Sequence, residues 1–242
     1  MKILDSVFDI LFPPKCVFCG KLTDKETDSA PLLCSACLKA LPFTTLSGGK
    51  TKGDFFSSCV SPLYYRNAVR ASIHRFKFDR QESYARLYGK LIADCLAQHP
   101  EIKWDLITWV PISRKRFRER GFNQAQTIAE YVAKNTGTTL WKTLRKIRHT
   151  PAQSTLSDKS QRRANIAGAY AMEKSIDVSG LSILLIDDVV TTGSTLSECS
   201  KVLLLAGAER VYCATLAKAG STKVKPKTGQ RNLHGSANIK KF

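Results

Sequence analysis

Two adjacent aspartates, Asp187 and Asp188, stand between the apolar run ILLI and the turn TTGST. Carboxylates beside a buried run are costly unless they have partners. Ionised carboxylates only accept hydrogen bonds, so they suit the hydroxyls of a sugar better than its phosphate. The turn that follows suits the phosphate. Gly193 permits a tight turn and close backbone approach, and the N–H groups opening a helix attract anions. Thr191, Thr192, Ser194 and Thr195 add hydroxyl donors. The whole stretch fits a sugar phosphate, with acids for the 2′- and 3′-hydroxyls of a ribose and the turn for its 5′-phosphate.

Four of the eight cysteines form a second group. CVFC (Cys16, Cys19) and CSAC (Cys34, Cys37) are separated by fourteen residues. A CxxC knuckle faces two thiolates toward one metal, and a second knuckle completes a tetrahedral sulfur site, so the spacing reads as zinc. Gly20 fits the turn such a knuckle needs. Disulfides are the competing reading, and they require an oxidising compartment. Neither a catalytic histidine nor an open coordination position is suggested, so the expected zinc is structural. It would help hold a segment of about fifty residues with little core of its own. Cys59, Cys95, Cys199 and Cys213 are scattered singly in apolar surroundings and read as small buried hydrophobes.

The elements that must position these groups follow from periodicity. Residues 64–98 read as mostly helical, and DLITWVP (105–111) as an apolar strand stopped by Pro111. NQAQTIAEYVAKNTG places Ala125, Ile128, Ala129 and Val132 on one helical face and ends on Gly137. Residues 145–165 are basic, polar and without clear period, which predicts a long loop. GAYAM, SILLID and RVYCATLA are strand candidates, with a helix from about Thr195 to Ala206 between the last two. Residues 183–186 become a central strand, and the aspartates lie at its carboxyl end, where open α/β sheets bind ligands. The fold class is α/β, a mostly parallel sheet flanked by helices, with a small N-terminal zinc-binding module. The expected organisation is an N-terminal helix and four-cysteine module over 1–55, the α/β domain over 60–220, and a basic flexible tail over 221–242. The opening MKILDSVFDILFPPKC reads as a short amphipathic helix ended by Pro13 and Pro14, and is a poor signal peptide.

The net charge of +18 is unevenly spread. Six cations face five acids in residues 1–50, 26 face 15 in 51–220, and six face none in 221–242. An extended polyanion, with nucleic acid foremost, is the natural partner; general solubility is the competing reading. Arg114, Lys115, Arg116, Arg118 and Arg120 lie within seven residues, opposed only by Glu119. Lys142, Arg145, Lys146, Arg148, Lys159, Arg162 and Arg163 form a second concentration, and Arg66, Arg70, Arg75 and Lys77 a third. Phe117, Phe122, Tyr64, Tyr65 and Trp141 interleave with them, as single strands require. Two or three of these cations would instead bind pyrophosphate. No apolar run approaches the roughly twenty residues of a membrane span.

The stretch ILLIDDVVTTGST closely resembles the phosphoribosyl pyrophosphate (PRPP) motif of type I phosphoribosyltransferases. VPISRKRFRERGFNQA (110–125), RHTPAQSTLSDKSQRRANIAGAY (148–170) and the four-cysteine knuckles narrow the resemblance to the ComF family of natural transformation. The likeness covers roughly residues 10–218 and leaves out the tail.

The resemblance implies that Asp187, Asp188, Thr191, Thr192, Gly193, Ser194 and Thr195 form a ribose-phosphate site. It implies a pyrophosphate contact at Pro111, Ser113 and Arg114, a mobile loop over 145–165, and Mg²⁺ held largely by ligand oxygens. Single-stranded DNA would then meet Arg116, Arg118, Arg120, Lys142, Arg145, Lys146, Arg148, Arg162 and Arg163. Other DNA-uptake proteins are expected partners, and the expected location is the cytosol, with peripheral attachment at the inner membrane face left open. Two alternatives stay open: a metabolic transferase acting on a small acceptor, and a non-catalytic PRPP sensor. No acid or base for catalysis is singled out.

Overall fold

The computed structural model describes residues 14–23, 32–45, 49–148 and 164–220. The expected N-terminal helix, residues 149–163 of the expected loop (with Arg162 and Arg163) and the tail from 221 lie outside these residues. The chain divides into two compact units between Leu41 and Pro42. The smaller carries the four cysteines and one short helix, α1 (Ser35–Ala40). The larger runs Pro42–Ala219.

In chain order the larger unit contains β1 (Ser58–Val60), β2 (Leu63–Tyr64), α2 (Asn67–Phe78), α3 (Tyr84–Ala97), β3 (Leu106–Trp109), α4 (Arg114–Arg120), α5 (Gln124–Thr136), β4 (Leu144–Lys146), β5 (Tyr170–Met172), β6 (Ser182–Val190), α6 (Ser194–Leu205) and β7 (Arg210–Lys218). The main sheet runs β1-β7-β6-β3, with β2 continuing along β7 past the end of β1. Every pairing in it is parallel. β6 is therefore central, and its residues 183–186 are fully buried, as a parallel strand covered on both faces requires. β4 and β5 pair antiparallel outside this sheet.

Helices cover the sheet through apolar stripes. Ala125, Ile128, Ala129 and Val132 of α5 are all buried, and the helix packs on β3, β6 and α3. Asn123 caps α5, its Oδ1 accepting from the N–H groups of Ala125 and Gln126, while its Nδ2 donates to the Val110 carbonyl at 3.2 Å. That one side chain joins the end of β3 to the start of α5. Gly137, at φ 67°, ends α5 in the left-handed conformation that glycine tolerates best. The first and last strands are joined by a buried hydrogen bond between the Ser61 and Thr215 hydroxyls, 2.7 Å apart and 154 residues distant in sequence.

Three features differ from the sequence reading. Residues 114–120, to which the sequence reading gave no element, form a helix made by caps and not by an apolar stripe: Ser113 Oγ accepts from Arg116 N–H, and Gly121 ends the helix at φ 84°. None of its seven residues is buried, so hydrophobic periodicity could not reveal it. The polar segment at 145–165 opens with β4, whose Leu144 is buried against the body. β1 and β2 were hidden because two short strands carry too few residues for a period.

Gly89 marks the closest approach of α3 and α5, because a Cβ there would overlap the Cβ of Tyr131 and come within 3.1 Å of that residue's carbonyl carbon. Gly89→Ala should therefore cost about 1–3 kcal/mol despite alanine's better helix propensity. Urea unfolding checks this, and a neutral or stabilising result means the two helices separate freely.

Candidate functional site

The smaller unit brings its four cysteine sulfurs within 4.8 Å of one another, and all four are free thiols. Local backbone makes this possible. Cys16 N–H donates to Lys21 carbonyl, Gly20 N–H donates to Cys16 carbonyl, and Gly20 sits at φ 77°. The second knuckle opens α1, with Cys37 N–H pointing at Cys34 Sγ. A tetrahedral sulfur site with Zn–S of about 2.3 Å needs sulfurs roughly 3.8 Å apart. Cys19 and Cys34 sulfurs are 3.7 Å apart, already at that spacing, and the donor set suits zinc. Burial raises Cys16, but the backbone N–H groups of Cys34, Cys19 and Phe18 outweigh it and bring the thiol down to about 7. Cys37 and Cys34 are pushed up, first by burial. A divalent cation relieves the crowding that opposes a second and third thiolate.

In the larger unit, a cavity of about 300 Å³ opens where the carboxyl ends of β3 and β6 meet α4 and the start of α5. Asp187, Asp188, Thr191, Thr195 and Pro111 line it. So do three cations that the sequence reading grouped with the DNA surface: Arg116, Arg120 and Lys146. Lys77, the end of the third basic concentration, lines it too. Arg120 donates to Gln124 Oε1 at 2.7 Å and lies over the Phe78 ring at 5.4 Å. Lys77 Nζ is 2.6 Å from Asp188 Oδ2.

The carboxylates sit in a tight electrostatic setting. Asp187 Oδ1 accepts from Asp188 N–H at 2.8 Å. Burial raises the Asp187 carboxyl well above the ordinary carboxylate range, and the neighbouring charge of Asp188 adds to it. Burial likewise brings the Lys146 ammonium down to about 8, helped by the charge of Arg116. The turn is ordered by its own side chains: Thr192 and Ser194 hydroxyls are 2.9 Å apart, and Gly193 adopts φ 78° before α6.

The remaining candidates separate from this cavity. Ser113 is committed to capping α4. Arg114, Arg118 and Lys142 line a second, open groove of about 730 Å³, with Phe117, Trp109 and Gln126. Phe117 is 49% exposed and Trp141, next to Lys142, 43%, whereas Phe122 is buried. Lys142 also pairs with Glu173 at 2.5 Å. Arg145 Nε donates to the Met172 carbonyl. Arg148 donates to the carbonyls of Asn165 and Ala167, which ties the two ends of the segment 149–163 together. Lys77, Tyr65, Ile166 and Tyr170 line the cavity and were not singled out for it, since each belongs to an element outside the motif.

Comparison with known proteins finds the double zinc ribbon domain over residues 7–48 and the phosphoribosyl transferase domain over residues 120–237. The DNA utilization protein YhgH of Salmonella typhi is 32% identical over 213 residues, 83% of this chain and 90% of that protein. Competence protein F of Haemophilus influenzae is 30% identical over 212 residues, 85% of each chain. Among solved structures, adenine phosphoribosyltransferase from Thermoanaerobacter pseudethanolicus aligns over 58% of this chain and 83% of its own, at 17% identity and a TM-score of 0.37. The matched ribbon and the four converging sulfurs make the N-terminal unit a structural zinc site.

Purified without chelators, the protein should carry about one zinc per chain. Cys16→Ser with Cys19→Ser should remove it and expose the N-terminal unit to proteolysis while the larger unit keeps its melting transition. Elemental analysis and limited proteolysis test this; metal-free protein, or a disulfide between these cysteines in reduced lysate, contradicts it.

Proposed function

Because this chain belongs to the ComF family, that of competence protein F and DNA utilization protein YhgH, we propose that it binds PRPP and single-stranded DNA and supports DNA uptake in natural transformation. The observation that carries the reading is the cavity itself. It gathers two strand-end carboxylates, the hydroxyls of a glycine turn and four cations within one small volume.

In this reading Asp187 and Asp188 accept hydrogen bonds from the ribose hydroxyls, and the 191–195 turn receives the 5′-phosphate through hydroxyls and backbone N–H groups. Arg116, Arg120 and Lys146 face the pyrophosphate, with Arg120 preset by Gln124 and Phe78. Among the described residues, the four cysteines are the one group of three or more His, Cys, Asp or Glu side chains placed to share a metal. Mg²⁺ would therefore enter with PRPP, held by pyrophosphate and ribose oxygens, and neutralise part of its charge.

The strand is assigned to the outer groove. Arg114, Arg118 and Lys142 supply phosphate contacts there, and the exposed ring of Phe117 supplies a stacking surface, with the exposed Trp141 ring next to Lys142 in sequence. Such a surface tolerates any base sequence, as handling of incoming DNA demands. A site of action in the cytosol is part of the proposal; among the described residues no helix is long and apolar enough to cross a membrane.

Asp187→Asn with Asp188→Asn removes charge-assisted acceptors, each typically worth about 1.5–3 kcal/mol, and should weaken PRPP binding accordingly while the fold survives. Calorimetry giving equal PRPP affinity for wild type and the double variant refutes the assignment.

Strand binding should be steeply salt-dependent, with log K falling by about 0.7 per phosphate contact against log salt. Arg114→Ala with Arg118→Ala should reduce that slope by up to about 1.4. Phe117→Ala should lose roughly 1–3 kcal/mol with the slope unchanged, and the aspartate double variant should bind strands nearly as wild type does. Filter binding across a salt series decides; no affinity at moderate salt, or no response to the arginine pair, rejects the groove.

A further inference from the structure

Lys77 stands outside both the acidic motif and the basic segment of α4. It occupies the last turn of α2, a helix whose Val69, Ile73 and Phe76 are buried. Phe76 is wedged edge-on against Tyr88 and Phe122, each with ring centroids 5.2 Å away, which fixes the turn. The next residue then projects into the cavity instead of into the core. A lysine on a solvated helix face would carry its ammonium out to water. This side chain is only 21% exposed, and its ammonium is held 2.6 Å from the Asp188 carboxylate, itself 12% exposed.

We infer that Lys77 is a positioning residue of the cavity: its direct ion pair holds the Asp188 carboxylate and aims it as an acceptor for the hydroxyls of the bound sugar phosphate. The inference rests on the sugar-phosphate reading of the site. Its physical basis is that two adjacent carboxylates repel each other, so a cation held at 2.6 Å from one of them fixes the orientation in which its oxygens accept. Asp188 acts electrostatically on Asp187 of its own strand, on Arg120 of α4 and on the Tyr88 hydroxyl of α3. Asp187 is reached electrostatically by Lys77 itself, by Lys146 of β4 and Tyr170 of β5, and by the buried thiols Cys59, Cys199 and Cys213. Lys77 alone among these groups makes a direct ion pair with Asp188 among the described residues. Phe78, the following residue, carries Arg120 over its ring, so the end of α2 steadies a second charge of the same cavity.

Calorimetry of wild type, Lys77→Met and Lys77→Arg with three probes tests the assignment: PRPP with Mg²⁺, ribose 5-phosphate, and inorganic pyrophosphate. Lys77→Met should weaken PRPP and ribose 5-phosphate at least about tenfold and leave pyrophosphate within about twofold, while Lys77→Arg recovers most of the loss. Equal loss of pyrophosphate makes Lys77 an anion ligand and overturns the positioning role, as does an unchanged affinity throughout. Lys77→Gln replaces the methionine variant if that protein melts early. Should wild type bind none of the probes, the sugar-phosphate reading fails, and the ion pair is then judged in the ligand-free protein. Carbon-13 NMR of the aspartate carboxyls at constant pH, with Asp188 assigned by its absence in Asp188→Asn, should show its resonance displaced in Lys77→Met and moved back toward the wild-type position in Lys77→Arg. An unmoved resonance overturns the inference.

Discussion

A parallel strand buried on both faces cannot end in two carboxylates unless the surrounding elements answer their charge. β6 carries such a pair near its carboxyl end, with only Val189 and Val190 beyond, and much of the larger unit can be understood as the answer. Lys77 arrives from α2, Arg116 and Arg120 from α4, and Lys146 from β4, so three separate elements deliver cations to one strand end. None of these elements neighbours β6 in sequence. Asp187 Oδ1 also takes the N–H of Asp188, which steadies the backbone between the two acids. An anionic ligand entering this cavity meets an excess of positive charge that the fold has already desolvated, and such charge acts more strongly than the same charge in water.

α4 explains how one short basic segment can serve two chemistries. Seven residues make about two turns, so positions 116 and 120 share a face and positions 114, 117 and 118 look elsewhere. The first face closes the strand-end cavity and the second lines the outer groove. A linear charge count merges them, and only the helical turn separates them. The residues Pro111, Ile112 and Asn123 border both spaces, so the wall between them is a single layer of side chains.

The parts of the protein written in local patterns were legible before the structure. The central strand, α5 with its Gly137 stop, and the cysteine knuckles each follow from neighbouring residues and a fixed geometry. The isolated cysteines Cys59, Cys95, Cys199 and Cys213 are all buried, as their apolar settings implied. What stayed hidden depends on distant pairing or on capping. β1 and β2 exist because β7 offers them an edge, and α4 because Ser113 and Gly121 bracket a polar run. Lys77 looked like one more surface cation, since nothing in FKF announces that its partner lies 111 residues further on, at Asp188.

The joining of β1 to β7 sets an order of events during synthesis. The Ser61–Thr215 hydrogen bond and the β1–β7 ladder need residues at opposite ends of the larger unit, and closing so long a loop is slow and costly in entropy. On the ribosome, β1 and β2 therefore emerge long before the edge that will hold them. The cysteine ribbon has no such wait. Its ligands lie within 22 residues, Cys16 to Cys37, and can close on a metal as soon as they leave the exit tunnel. The two units thus become native on different clocks: zinc supply during translation governs the first of them, and emergence of β7 governs the second.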